Sequence, residues 1–469
     1  MSSRGTRNLV LVNTSVGAFI GPFTSSAISF STPEIGQTFH ATFYEIIWLP
    51  LGFLMSLSSF YLISGRLADE YGRVRLYRLG LILFSLGILT GTLSPGISIL
   101  LISVFIAGIG AAFAGSNSTA IIGQTFNRGV RGRALGINVM SVYLGLTLAP
   151  SISGIIIKFV GWRMLLAVSG PVALFALALT FIAMAGMDVR GGAEKIDSFG
   201  AITLASGIFL TVFYLSLGNV YGWINTSPIL IAGIVSFSLF IMIERKVPNP
   251  LISAKLFLKN RTFTASNLTA FLNYLSTFSL VFVFAIYLQL VLHIGPLASG
   301  LIIAVEPIFM VILSPISGMM SDKFGSRIVA SVGMLLIGFS FLVLYFFALK
   351  STVGIIISLA VIGTGFGLFS AANTNSVMGS VSDQQFGLAS GTLGTMRYSG
   401  QLLSITLSSI ILTSVLPRTA VIGMFSGIPL SYATSYGYEF VHGLMYIMLV
   451  SGLISFVGAY TSLLKNRGA

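Results

Sequence analysis

Glu306 and Arg397 are the two residues whose chemistry departs most from their surroundings. Glu306 lies in Ala304-Val-Glu306-Pro307, inside the apolar stretch Leu297–Met320. Arg397 lies in Met396-Arg397-Tyr-Ser-Gly400, inside Leu388–Val415. Placing a charge at the centre of a bilayer costs about 2.5–3.5 kcal/mol on insertion scales, so ionisable residues there are kept for function or for a buried partner. Glu306 can carry a proton from one side of a membrane to the other, or stay protonated and hydrogen-bond a neighbouring helix. Arg397 can pair with Glu306, neutralise an anionic group on a substrate, or link helices through backbone carbonyls. Glu45 is a third candidate, at the start of an apolar stretch where water reaches it. Asn273, Tyr287 and Gln289, with Asn373 and Asn375, offer polar groups to an interior cavity or to interhelical hydrogen bonds.

A second kind of chemistry is written twice. Gly65-Arg-Leu-Ala-Asp69-Glu-Tyr-Gly72-Arg73 and Gly318-Met-Met-Ser-Asp322-Lys-Phe-Gly325-Ser-Arg327 share the order Gly, Asp, Gly, Arg between long apolar runs. As charged turns at a membrane face, they allow Asp69 and Asp322 to accept hydrogen bonds from a nearby helix N-terminus and to pair with Arg73 and Arg327. Orienting a loop by charge alone is the plainer alternative.

The elements that must position these residues follow from composition. The chain is 55% hydrophobic and 8% charged, with mean hydropathy +0.97, whereas a soluble domain is about one quarter charged. A helix needs about twenty apolar residues to cross the hydrocarbon. Fourteen such stretches occur: Leu9–Ser31, Tyr44–Ser64, Leu76–Leu93, Ser98–Ile122, Ala134–Ile157, Met164–Gly186, Phe199–Leu217, Pro228–Ile243, Thr264–Leu290, Leu297–Met320, Ile328–Ala348, Ser351–Met378, Leu388–Val415 and Phe440–Leu464. With these as spans, twenty Lys and Arg residues fall on the side of the two termini and four on the other. The positive-inside rule then makes both termini cytoplasmic. Between the eighth and ninth spans, Leu251-Ile-Ser-Ala-Lys-Leu256-Phe-Leu-Lys259 fits a short helix lying on the cytoplasmic interface.

The same reading narrows function. The net charge of +13 is explained by the loop bias and gives no reason to expect nucleic acid as a partner. No cysteine is present, and His40, His293 and His442 are scattered, so neither a metal nor another cofactor is expected. Gly363-Thr-Gly365-Phe-Gly367 lies inside an apolar stretch with no strand before it, and no P-loop occurs, so enzyme chemistry on nucleotides is not expected. A sensor would need a soluble signalling domain. A channel would not need paired latches.

At the charged turns the sequence resembles the major facilitator superfamily, whose signature has the form G-x-L-a-D-x-x-G-R; Gly65, Leu67, Ala68, Asp69, Gly72 and Arg73 match it. Fourteen stretches, with Trp223…Glu244-Arg-Lys-Val-Pro-Asn-Pro-Leu251, Tyr287-Leu-Gln-Leu-Val, Ala389-Ser-Gly391 and Met396-Arg397-Tyr-Ser-Gly400, resemble its fourteen-helix drug:proton antiporter group. Gly145-Leu-Thr-Leu-Ala149-Pro150-Ser-Ile-Ser153-Gly154 is similar to that group's antiporter motif, with two glycines replaced by small residues. The resemblance implies an all-α integral membrane fold: two six-helix bundles (1–186 and 264–469) joined by two extra helices and a linker (187–263). It also implies a monomer of the cell membrane that exports hydrophobic or amphiphilic compounds in exchange for protons, the latches closing the cytoplasmic side. Thr24 and Val104 stand where the family motifs carry an Asp and an Arg. Those departures leave a second expectation, a transporter of the same fold that moves lipid-like or other substrates without protons.

Overall fold

The structure is a computed structural model describing residues 4–41, 43–187, 197–247, 254–347, 351–417 and 437–466. Those residues form helices and no strand, as a bilayer requires of an open chain whose backbone groups must be paired within each segment. The first set is α1 (Arg4–Phe39), α2 (Phe43–Tyr71), α3 (Arg73–Thr92), α4 (Ile97–Thr125), α5 (Arg128–Val160) and α6 (Trp162–Ala183). Next come α7 (Ser198–Tyr221), α8 (Ser227–Glu244) and the short α9 (Ala254–Lys259). The second set is α10 (Arg261–Thr277), α11 (Ser279–Ile286), α12 (Pro296–Ile303), α13 (Val305–Phe324), α14 (Ser326–Phe346), α15 (Thr352–Gly379), α16 (Phe386–Val415) and α17 (Gly437–Leu463).

Thirteen spans among the described residues are long and apolar enough to cross a membrane. The remaining expected one, 199–217, falls in α7, whose apolar run Phe199–Leu215 is shorter. α1 packs on α4, α5 and α6, and α3 on α4 and α6. In the second set α10 packs on α15, α16 and α17, and α14 on α15 and α17. α7 and α8 pair with each other, and α7 touches both α2 and α16. The two sets meet along two seams, α2 against α16 and α5 against α13. Each set has its own core of fully buried rings, Phe53, Tyr77 and Phe84 in one and Phe263, Phe341 and Phe369 in the other.

Three expectations change. The charged stretches are not turns: α2 continues through Asp69 to Tyr71 and α13 through Asp322 to Phe324. The chain reverses at single glycines, Gly72 (φ 101°) and Gly325 (φ 85°), in a region costly for residues with a Cβ. The expected ninth span is broken into α10 and α11 and ends in a π-helical turn, Tyr287–Val291. At that break the Ser279 N–H donates to Ser404 Oγ at 3.0 Å. The expected tenth span is broken at Ala304, because Pro307 has no N–H to donate back to Ile303. α9 supplies part of the expected interfacial helix; Leu251–Ser253 lie outside the described residues.

Candidate functional site

Each seam is closed at one end by a carboxylate. Asp69, at the end of α2, accepts from the backbone N–H groups of Gly387 (2.9 Å) and Leu388 (2.7 Å) at the start of α16. Asp322, at the end of α13, accepts from those of Gly132 and Arg133, both 3.1 Å, at the start of α5. A helix N-terminus carries unpaired donors and partial positive charge; Asp69 caps α16 at its second and third residues, whereas Asp322 meets the fifth and sixth residues of α5, past that helix's first paired N–H. The backbones must be close for this reach. A Cβ on Gly65 would collide with the Gly387 carbonyl, and one on Gly318 with the Gly132 carbonyl.

The ionic shells differ. Arg73 pairs with Asp69 at 2.9 Å and also donates to the Asp383 carbonyl at 2.5 Å, across the seam. Among the described residues no ion pair joins Asp322 to Arg327. Asn375 donates to Asp322 instead (3.2 Å), and Arg131 donates to Asn375 (3.4 Å). The guanidinium groups of Arg73 and Arg131 lie 5.5 and 5.8 Å from the centroid of the Phe386 ring. That shared ring puts both clasps at the same end of the molecule.

Arg397 lies ten residues along α16 from Gly387, about 15 Å in from the clasped end. This is half the thickness of a hydrocarbon core of about 30 Å. Its Nη2 donates to Thr374 Oγ1 at 2.5 Å, and its buried Nε has no partner. Tyrosines from both sets surround it. Its guanidinium is 5.9 Å from the Tyr274 ring, and Tyr61, Tyr143 and Tyr398 all lie within reach of its charge. Tyr61 of α2 meets Tyr398 of α16 at 5.3 Å, while Tyr143 of α5 and Tyr274 of α10 flank Phe366 of α15 at 5.6 and 5.2 Å.

Glu306 does not join this group. It is buried in the first turn of α13, has no hydrogen bond or ion pair among the described residues, and its Oε2 is enclosed without a partner. Its backbone packs on Gly363 of α15, eleven residues from Thr374, or about 16 Å along that helix. It stands sixteen residues from Asp322, about 24 Å up α13 from the clasp rather than midway through its span.

The other expected cavity residues scatter. Asn273 is buried against α14, its Nδ2 3.2 Å from Met334 Sδ, and its carbonyl accepts from Ser276 and Thr277. Tyr287 is buried in the π turn with its ring 6.2 Å from Phe284, Gln289 is exposed, and Glu45 is half-buried in the first turn of α2. On α5, Gly145 packs against the Phe19 backbone of α1, and Ala149 is buried beside Phe23 and Ala27. The helix runs on through Pro150 and Gly154, whose surroundings lie outside the described residues. Thr24 and Val104 are both buried, the Thr24 hydroxyl without a partner.

Two features escaped the sequence reading. The donor ends of the clasps are themselves a repeat, Gly132-Arg-Ala-Leu-Gly136 and Gly387-Leu-Ala-Ser-Gly391, a Gly-x-Ala-x-Gly pattern that was legible. The aromatic group around Arg397 had no sequence signal, because its rings come from five separate helices.

Comparison with known proteins places these observations. The Major Facilitator Superfamily profile matches residues 14–405. The riboflavin transporter RibZ of Clostridioides difficile is 27% identical over 393 residues, covering 83% of this chain and 84% of that protein. The multidrug resistance protein Stp of Mycobacterium tuberculosis is 25% identical over 417 residues, covering 88% and 77%. Among solved structures, the human organic anion transporter MFSD10 superimposes with a TM-score of 0.67 over 97% of this chain and 99% of its own, at 14% identity. At that identity the likeness concerns the fold alone.

Proposed function

Because the chain belongs to the Major Facilitator Superfamily, we propose that this membrane transporter exports hydrophobic or amphiphilic compounds by alternating access, in exchange for protons carried by Glu306. We assign it to the fourteen-helix drug:proton antiporter group, with bundles 1–186 and 264–469 around the linker 187–263. It acts as a monomer in the cell membrane, with the clasped end and both termini in the cytoplasm. The carrying observation is the pair of clasps, each tying one set of helices to the other at one end. Two bundles locked at one rim are a two-state element: breaking the four N–H···carboxylate bonds lets the bundles rock and opens the centre to that side. The relative named for multidrug resistance supports export. The buried, unpartnered carboxyl of Glu306 supports proton carriage.

The test is transport in proteoliposomes under an imposed pH gradient, wild type against Glu306→Gln. Proton exchange predicts gradient-driven uptake in wild type and at least a tenfold loss in the variant. Equal rates in both would remove Glu306 from the mechanism. A second reading, transport without protons, is favoured by Thr24 and Val104, buried and uncharged where the family motifs carry an Asp and an Arg. It predicts substrate exchange that persists and ignores the gradient.

A further inference from the structure

The polar atoms around the centre have one character. Arg397 Nε, the Tyr143 hydroxyl and the Ser370 hydroxyl are all buried and all able to donate; Nε has no hydrogen bond, and the two hydroxyls meet only each other and Tyr274. They are neighbours: Ser370 and Tyr274 lie beside the Tyr143 hydroxyl, and the Ser370 carbonyl accepts from the same Thr374 hydroxyl that receives Arg397. Tyr143 and Ser370 are 2% and 1% exposed, so bulk water does not serve them. Among the described residues no acid meets Arg397. A fixed positive charge with an unused N–H, beside hydroxyls that can turn toward a ligand, is in a low-dielectric interior an incomplete site for an anion and a repulsive one for a cation.

The walls are aromatic on both sides of the seam. Tyr61 and Tyr398 face each other across α2 and α16, and Tyr143, Phe366 and Tyr274 form an edge-to-face row across α5, α15 and α10. Rings of this kind receive a flat aromatic body by stacking and edge contact. We propose that Arg397, Tyr143 and Ser370 form the subsite for the negatively charged group of an aromatic substrate, whose ring system lies among Tyr61, Tyr274, Phe366 and Tyr398. This deepens the export reading by naming the cargo as an aromatic anion, and it rests on that reading for the direction of movement only.

The experiment is equilibrium binding of radiolabelled 1-naphthoate to the purified full-length protein in nanodiscs, with no gradient imposed. Competitors are 1-naphthamide (neutral), 1-naphthylmethylammonium (cationic) and cyclohexanecarboxylate (not aromatic). Wild type is expected to bind naphthoate about tenfold or more tighter than naphthamide, as a charge-assisted bond implies. It should bind the ammonium and the cyclohexane acid weakest. Arg397→Gln abolishes the preference for charge, Tyr143→Phe weakens naphthoate several-fold, and Arg397→Lys keeps part of the preference. If naphthoate fails to bind wild type, or binds no better than the amide, the proposal is overturned. Retention of the charge preference in a folded Arg397→Gln protein overturns it too. The wild-type series decides the matter even where a variant does not fold. Binding is read without flux, so a missing pH-gradient response removes the export-for-protons reading alone, and indifference to charge removes this one alone.

Discussion

The two clasps are built on one backbone plan with different ionic shells. In both, an Asp near the end of one helix accepts from two successive backbone N–H groups near the start of a helix from the other set, and two glycines bring the backbones together. Only the first adds a direct ion pair, Arg73 to Asp69; the second substitutes Asn375, backed by Arg131. The reason is a spacing of one residue. Arg73 follows Asp69 by four positions across the reversal at Gly72, whereas Arg327 follows Asp322 by five across the one at Gly325, and Ser326 at the four-residue position bonds Ser321 instead (2.7 Å). The helix-end geometry is common to both clasps; the flanking charge is free to vary.

The largest effect should come from the glycines, where the clasps are alike. Gly65→Val and Gly318→Val each force a side chain into the opposing backbone, so transport in proteoliposomes should fall at least tenfold in both. Full activity in either would show that its seam does not need close contact. Asp69→Asn and Asp322→Asn come next. Removing charge from hydrogen-bonded carboxylates costs about 1–3 kcal/mol, or roughly 5- to 150-fold in the open-to-closed ratio. Asp69→Asn should be the worse, since it also strands Arg73; accessibility of the rim to a membrane-impermeant thiol reagent, after introduction of single cysteines, reads this ratio. The arginines should separate the clasps: Arg73→Gln slows transport several-fold, while Arg327→Gln stays within about twofold of wild type. Equal losses would mean that Arg327 engages Asp322 at some other stage of the cycle.

The smallest effect lies beyond the spans of the second set. Burial pushes the Lys465 ammonium down to about 7, with Asn373 Oδ1 its acceptor at 2.9 Å. A lysine lowered in the fold is held neutral there while the unfolded chain still binds a proton. Stability should therefore rise from about pH 7 towards the ordinary 10.5 and show no such gain below pH 7. Thermal midpoints of wild type should climb over that window and those of Lys465→Met should not.

Much of this was legible in the sequence, for stated reasons. Apolar length marks spans because lipid offers no backbone partners, and the repeated Gly-x-x-x-Asp marks the helices that bring the accepting carboxylates to the clasps. Their partners were hidden, since nothing local links Asp69 to Gly387 or Asp322 to Gly132. The seams pair α2 with α16 and α5 with α13, crosswise between the sets. Glu306 and Arg397 stood out in the sequence as rare charges, but their separation depends on how α13 and α16 lie against α15. The break at Phe278 and the ring of tyrosines are likewise tertiary, created by helices distant in the chain.

The claim that both clasps belong to one rocking motion can be measured directly, because the chain has no native cysteine. Spin labels at Tyr71 and Gln384 span the first clasp, and labels at Arg133 and Lys323 span the second; all four side chains are exposed. Pulsed electron paramagnetic resonance in nanodiscs should show both distances lengthening together when Asp69→Asn is introduced, although that substitution touches only the first clasp. Lengthening across the first clasp with the second unchanged would contradict the account.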